Sequence, residues 1–249
     1  MKKCVYIIVM LFISLGLHAQ IQDKLFEKGN KQFKNKEYEL ALKSYLSIEK
    51  QNIFSSELYY NIGNTYFRLN DYTNSILYYE RGLRLNPNDE NINTNLKVAK
   101  ARLKSDIYVV PSFFLVRWWS NISNLFTPYW WTIVSITLLL IACILFIFYY
   151  FSFDKKVLLF YSLLLSLFLF IISCFAGYTR QTQLHSKNQA IVFGEQTVGK
   201  DSPDKNSSDK MKILRGQKIK IVDKEDKWVK VKTEDGKEAW IESQDVVII

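Results

Sequence analysis

Gly29-Asn-Lys-Gln-Phe33-Lys-Asn-Lys36-Glu37-Tyr38-Glu-Leu-Ala41-Leu42-Lys-Ser-Tyr45 and Gly63-Asn64-Thr-Tyr-Phe67-Arg-Leu-Asn70-Asp71-Tyr72-Thr-Asn-Ser75-Ile76-Leu-Tyr-Tyr79 are two copies of one pattern, 34 residues apart. At that offset Asn30 matches Asn64, Phe33 matches Phe67 and Tyr38 matches Tyr72. Ala41 matches Ser75, Leu42 matches Ile76 and Tyr45 matches Tyr79. Pro87, after Leu83 and Leu85, closes the second copy. Each copy reads as two helices joined by a short turn, with Lys36-Glu37 and Asn70-Asp71 in the turns. A glycine on the first helix and a small residue on the second let the pair approach closely. Two such units bury too little apolar surface, and at least three are usually needed. Residues 90–105 supply a further helix, whose apolar stripe is Ile92, Leu96, Ala99 and Leu103.

This period and residue order resemble the tetratricopeptide repeat. The resemblance covers repeats at about 22–55 and 56–89 in a domain spanning 20–106, with 90–105 as a capping helix. It implies a concave face, made by the first helix of each unit, that binds extended peptides or partner helices. In this register the face holds Phe26, Asn30, Tyr60, Asn61, Asn64, Arg68, Asn91 and Asn95. One subclass of these repeats clamps a carboxylate with two asparagines and three basic residues. Asn30 and Asn61 match its asparagines, but Phe26, Asn91 and Asn95 stand where the basic residues belong. A neutral, hydrogen-bonding groove is expected instead; the alternative for each Asn is plain helix-surface polarity.

On the N-terminal side lies Met1-Lys2-Lys3, then an apolar run from Cys4 to Leu17, then His18-Ala19-Gln20. This matches a secretory signal peptide over 1–19, with an uncleaved anchor as the alternative. On the C-terminal side, residues 129–153 and 157–178 are each long and apolar enough to span a bilayer. Trp130, Trp131, Tyr149, Tyr150 and Tyr178 sit at their ends, as in an interfacial aromatic belt. A pair of buried core helices is the competing reading. Asp154, Lys155 and Lys156 alone separate the spans, which predicts a tight hairpin. Its lysines suggest a cytoplasmic loop, with both soluble regions on the periplasmic face of an inner membrane. Arg102, Lys104 and Arg117, before the first span, argue the other way. In the segment 107–128, Phe114, Trp118, Ile122 and Leu125 recur at helical spacing. That stripe fits a helix lying in the membrane interface, or one packed on a neighbouring domain.

After Arg180 the pattern turns β-rich: Ala190–Phe193, Gln217–Val222, Lys227–Val231, Glu238–Ile241 and Val246–Ile249. Alternation in Ile219/Ile221 and in Trp228, Val229 and Val231 marks strands. Glu234-Asp235-Gly236 marks a hairpin turn. Five strands over 186–249 predict a small all-β barrel. Leu214-x-Gly216, Trp228-Val-Lys-Val231, Asp235-Gly236 and Ala239-Trp240-Ile241 resemble bacterial SH3-like domains. Ala239 replaces the usual Gly, and the polar 200–210 loop is longer than usual. Such domains bind cell-wall peptides or a protein. Trp228 and Trp240 are therefore either the walls of a binding cleft or members of the barrel core.

The formal charge of +9 does not indicate a nucleic-acid partner. Residues 20–116 carry 14 Lys/Arg against 11 Asp/Glu, and residues 179–249 carry 14 against 12. Neither region is a field of one sign. Cys4, Cys143 and Cys174 all lie in apolar runs, so the soluble parts have neither a disulfide framework nor a thiol nucleophile. The sequence holds no phosphate-binding Gly-rich loop, no H-E-x-x-H and no G-x-S-x-G. No catalytic set, metal site or cofactor is expected, and the chain reads as a non-enzyme.

Signal peptide, tetratricopeptide array, two-span hairpin and SH3-like terminus in that order resemble the Bat aerotolerance membrane proteins of the BatE type, found in Bacteroidetes. The resemblance covers nearly the whole chain. It implies a scaffold in an envelope complex beside partners with von Willebrand factor A domains, with a role in stress or oxygen tolerance. The alternative is an envelope sensor that binds peptidoglycan through the SH3-like part. Expected partners are therefore membrane or periplasmic proteins, the lipid bilayer and, on the second reading, peptidoglycan.

Overall fold

A computed structural model describes residues 24–103, 113–195 and 197–249. The expected signal peptide lies outside the described residues, as do residues 107–112 of the expected interfacial segment. The chain divides into two compact units, one formed by residues 1–110 with 187–249 and the other by residues 111–186.

Among the described residues of the first unit, five helices come first: α1 (residues 24–34), α2 (Tyr38–Glu49), α3 (Ser56–Arg68), α4 (Tyr72–Leu85) and α5 (Glu90–Arg102). The repeat period reappears as repeated geometry. A Cβ on Gly29 would lie 2.5 Å from the Tyr45 ring, and one on Gly63 would lie 2.6 Å from the Tyr79 ring. Each glycine thus admits an aromatic ring from the second helix of its own repeat. The turns repeat as well: Lys36 and Asn70 both adopt positive φ, 65° and 62°. Asn adopts that region more readily than Lys does. Asp71 caps α4 by accepting from the Asn74 N–H at 3.1 Å, and Ser55 caps α3 through the Leu58 N–H at 3.0 Å. Glu37, which corresponds to Asp71, makes no side-chain cap on α2. Ala41, Tyr45, Ile48, Leu58, Tyr59, Ile62 and Tyr78 form the core of the helical layer.

The described residues of the same unit also form seven antiparallel strands. They are β1 (Gln189–Val192), β2 (Thr197–Lys200), β3 (Asp209–Ile213), β4 (Lys218–Glu225), β5 (Trp228–Thr233), β6 (Glu238–Glu242) and β7 (Val246–Ile248). Their order is β3-β2-β6-β5-β4-β1-β7. Inner residues from both ends of that order, Ile213 and Ile248, meet one core with Val192, Ile219, Val229, Val231 and Ile241. The sheet therefore curls on itself into the SH3-like form. Sequence patterning predicts five strands; the other two are β2 and β3. They pair with each other across a turn that occupies the long polar loop. Their alternation is weak because Asp209, Lys210 and Lys212 are exposed, so no apolar stripe marks them.

The strands and helices of this unit share a core. Ala190, Ile191 and Val192 are all fully buried, which one covered sheet face cannot explain. Ala190 and Val192 enter the barrel core. Ile191 enters a second core with Ile76, Leu77, Tyr79, Ile92, Leu96, Ala99 and Ile249, flanked by Phe193 and Val247. Strands β1 and β7 pair side by side, and each alternates between the barrel core and α4–α5. Polar groups frame the joint. Glu80 on α4, 5% exposed, takes Lys218 of β4 at 2.7 Å and Lys100 of α5 at 3.2 Å. Burial opposes ionisation of Glu80, but the two ammonium groups outweigh it and hold the carboxyl below its usual range. The Arg215 Nε donates to Thr73 Oγ1 at 3.0 Å. Arg81 donates to the Ile248 carbonyl at 3.3 Å, and Arg84 donates to Ile249 O.

The second unit holds α6 (Phe114–Ser123), α7 (Pro128–Phe151) and α8 (Lys156–His185). Helices α7 and α8, of 24 and 30 residues, are long and apolar enough to cross a membrane. They meet through small residues, with Ser135, Ala142, Ser166, Ser173 and Ala176 buried. Ser135 Oγ and Ser173 Oγ lie 2.8 Å apart, and the Ser166 hydroxyl donates to the Leu138 carbonyl at 2.9 Å. Close small-residue packing with hydrogen-bonded hydroxyls is the way helices associate in lipid. Leu140, Ile144, Phe148, Leu165, Phe168 and Ile171 face outward and exposed. That outward apolar surface counts against the pair being core helices of a soluble domain. Helix α6 packs on α8 through Trp119, whose Nε1 donates to Thr179 Oγ1 at 3.3 Å and whose ring lies 5.0 Å from Phe175. Phe114 and Trp118 point outward, whereas Ile122 is half-buried. Leu125, also exposed, lies in the turn after α6.

Candidate functional site

The groove of the helical layer is built on the repeat register. Asn30 on α1 and Asn61 on α3 form one side-chain pair. Asn64 on α3 and Asn95 on α5 form its equivalent one repeat later. Asn30 Oδ1 accepts from the Tyr45 hydroxyl at 2.7 Å and from Asn61 Nδ2 at 3.2 Å. Asn64 Oδ1 accepts from the Tyr79 hydroxyl at 2.6 Å and from Asn95 Nδ2 at 2.8 Å. The hydroxyls donate because they stay protonated: burial pushes Tyr79 up to about 12 and Tyr45 likewise to about 12. Each tyrosine thus fills the space its glycine leaves and also fixes an asparagine in the neighbouring helix.

A cavity of about 350 Å³ opens beside the second pair, lined by Phe33, Tyr60, Asn64, Phe67, Arg68, Tyr79, Asn95 and Val98. Of the residues expected in the groove, Tyr60, Asn64, Arg68 and Asn95 come together here. Asn30 and Asn61 form the equivalent pair one repeat earlier. Phe26 packs on Tyr45, with ring centroids 5.9 Å apart, and contributes to the helical core. Asn91 is exposed at the start of α5, where Asp89 accepts from its N–H at 3.1 Å; it does not line the cavity. Both oxygen ladders give the asparagines a structural task beyond surface polarity. The amide nitrogens of Asn30 and Asn64 and the Arg68 guanidinium have no partner among the described residues. The sequence reading missed Phe33, Phe67, Tyr79 and Val98 as lining residues. Phe33 and Phe67 already stood out as a matched pair. Val98, 45% exposed, is an apolar residue off the buried stripe of α5.

In the barrel, Trp228 and Trp240 are half-buried and belong to its outer face. The core is made by the alternating Val229, Val231 and Ile241, so neither indole is a core residue. Lys230 pairs with Trp240 across β5 and β6, and Lys200 of β2 pairs with Trp240 on the other side. Both indoles therefore share a surface with Lys230 and Lys200. Ion pairs Lys230–Glu238 at 3.2 Å and Lys200–Asp209 at 2.6 Å frame it. Among the described residues no group of three or more His, Cys, Asp or Glu is arranged to hold a metal ion.

Residues 56–89 match the tetratricopeptide repeat family. Residues 201–247 match the bacterial SH3 domain family. No curated protein gives a match to the chain. The first match covers α3 and α4, including Tyr60, Asn64 and Arg68. The second covers both tryptophans and begins after β2. Together they identify the two soluble parts as similar to interaction modules, the first typically for proteins and the second for proteins or peptidoglycan.

Proposed function

We propose that this chain is a non-enzymatic scaffold anchored in a membrane, which holds a partner protein in the groove of its helical repeats. The observation that carries this reading is the cavity between α3 and α5. It has aromatic walls, one unpartnered amide donor on Asn64 and a single cation among its lining residues, and it sits within a segment similar to a peptide-binding repeat. Helices α7 and α8 serve as the transmembrane hairpin, and α6 as a segment lying in the interface. Residues 24–103 and 187–249 flank this hairpin yet share a core, which supports their lying on one side of the bilayer. The basic loop at Lys155 and Lys156 supports that side being periplasmic. The domain order supports a place in a Bat-type aerotolerance complex beside von Willebrand factor A domain partners.

The test is crosslinking capture of partners by the membrane-embedded protein, comparing the parent chain with Arg68→Ala and Asn61→Ala. A defined membrane partner, lost in both variants, is the expected result. Capture that is indifferent to both substitutions removes the groove from the function. A second reading, binding of peptidoglycan by the SH3-like part, is favoured by the outward placement of Trp228 and Trp240. Retention of the full chain on cell-wall sacculi, abolished by Trp240→Ala, would establish it.

A further inference from the structure

We infer that the barrel docks a lysine-bearing end onto the surface of a bilayer that contains anionic phospholipid; this rests on the membrane-spanning reading of α7 and α8 above. Strand register brings the residues together. Gln189 of β1 pairs with Lys220 of β4, Lys220 with Lys232 of β5, and Lys232 with Glu238 of β6. Gln189, Lys220 and Lys232 are exposed, while their chain neighbours Ala190, Ile219 and Val231 enter the barrel core. The row therefore points outward. Lys220 and Lys232 stand directly opposite each other, an arrangement that costs stability in a sheet. Lys220 makes no ion pair among the described residues, and neither does Lys187, which is exposed two residues before Gln189. Glu238, the acid of the row, is shared between Lys230 at 3.2 Å and Lys232 at 3.8 Å. Lys230 above all, then Lys232 and Lys210, hold its carboxyl below the usual range. Glu234 follows Lys232 by two residues and makes no ion pair among the described residues. Lys187, Lys220, Lys230 and Lys232 thus face two carboxylates and keep a positive excess.

That excess lies at the end of the barrel where the chain enters. At the far end of the β4–β5 hairpin, Lys224 and Lys227 are interleaved with Asp223, Glu225 and Asp226, so no excess builds there. Only Ser186, Lys187 and Asn188 separate His185, the last residue of α8, from Gln189, the first of β1. That link reaches about 14 Å at full extension. The apolar part of α8 ends at Tyr178, and the seven helical residues beyond it rise about 10 Å. Gln189 is therefore tethered within about 25 Å of the hydrocarbon edge. Contact of the row with the headgroups is an intramolecular event, for which a modest attraction suffices. Each lysine close to an anionic leaflet adds a favourable electrostatic contribution. Phosphodiester headgroups also relieve the repulsion between Lys220 and Lys232. Charge complementarity and the short tether point to the same occupant, the bilayer in which the chain is anchored.

The test uses the full chain in lipid nanodiscs, with an NBD fluorophore on Gln189→Cys in a Cys4→Ser, Cys143→Ser, Cys174→Ser background. Quenching by a lipid spin-labelled on its headgroup reports contact of the row with the surface. Discs are made of phosphatidylcholine alone or with about one third phosphatidylglycerol. Quenching should be several-fold stronger in the anionic discs. It should fall to the phosphatidylcholine level near 1 M salt, where screening shrinks to roughly 3 Å. Lys220→Gln with Lys232→Gln should lower the ratio of docked to free barrel in anionic discs by about tenfold or more. Lys224→Gln with Lys227→Gln removes the same charge from the far end and should leave that ratio within about twofold. All four lysines are exposed, so neither pair of substitutions opens the core. Equal quenching in the two lipids, or equal loss from the two pairs, overturns the inference. A chain that fails to incorporate into discs of either lipid overturns the spanning reading, and this inference with it.

Discussion

Replacing Ile191 by alanine should loosen the helical repeats, although the residue belongs to the barrel. Ile191 is fully buried, and its neighbours in the shared core are α4 and α5 residues together with Ile249. Truncating a buried isoleucine to alanine costs about 2–5 kcal/mol, through lost transfer free energy and the cavity left behind. The upper half of that range applies here, because strand β1 is held on both edges, by β4 and by β7, and cannot collapse inward. A loss of about 4 kcal/mol speeds any exchange that passes through opening of the joint by roughly three powers of ten. Ile191→Val, which removes one methylene, should cost about 1 kcal/mol and give a graded intermediate. The assay is amide hydrogen exchange by mass spectrometry on the detergent-solubilised chain. Peptides from β1 and from α5 are followed together. Both should lose protection in parallel, in the order wild type, Ile191→Val, Ile191→Ala. If β1 loses protection while α5 keeps wild-type exchange in the alanine variant, the two layers are energetically independent and the shared-core argument is wrong.

Gly63→Ala should destabilise the helical layer by about 1–3 kcal/mol, since its Cβ would meet the Tyr79 ring at 2.6 Å; urea unfolding followed by circular dichroism checks this. Lys36→Gly should stabilise by about 1 kcal/mol, because Lys36 sits at φ 65°, and the thermal midpoint should rise. Glu37→Asp should add up to about 1 kcal/mol through a new N-cap on α2, read by the same melt. Acid dependence follows from Glu80, whose folded carboxyl is held below the usual carboxylate range by Lys218 and Lys100 despite its burial. Its stabilising contribution is present above that range and is lost as pH falls through the lower, folded value. Glu80→Gln should therefore be less stable than wild type at neutral pH, by about 1–3 kcal/mol, and the gap should narrow progressively as the pH falls below the usual carboxylate range in unfolding measured across acid pH.

The helical repeats were legible because an offset of 34 aligns a glycine, an aromatic and a small residue whose contacts recur in space. The barrel was partly legible. Strands with one buried face, β4, β5 and β6, alternate and announce themselves, whereas β2 and β3 have too few buried side chains to do so. The joint between the layers had a signal that went unread. Ala190-Ile191-Val192-Phe193 and Val246-Val247-Ile248-Ile249 are unbroken apolar runs. In a small antiparallel barrel an unbroken run has an outer face that must be covered. Which element covers it was not legible, because that depends on pairing across more than 100 residues of chain. Of the asparagines expected in the groove, Asn64 and Asn95 line the cavity, but their internal ladder was not legible, since a hydrogen bond between residues 31 apart leaves no local pattern.

The covered face also explains how two repeats suffice. Each repeat buries its apolar side only against a neighbour, so a short array leaves α4 and α5 with an open flank. Here β1 and β7 close that flank: Ile191, Val247 and Ile249 take the place a further helix pair would fill. The barrel is therefore the missing neighbour of the array as well as a module of its own. Its docking fixes the end of the groove, because Tyr79 belongs both to the shared core and to the cavity wall. Since the two apolar helices lie between the halves in sequence, the helical part waits for the chain to return before its last apolar surface is buried. A fragment ending near residue 110 should accordingly expose Ile76, Ile92 and Leu96 and bind an apolar dye. It should regain a sharp unfolding transition when residues 187–249 are joined to it by a flexible linker. A fragment that melts cooperatively alone would mean that the array needs no neighbour at all.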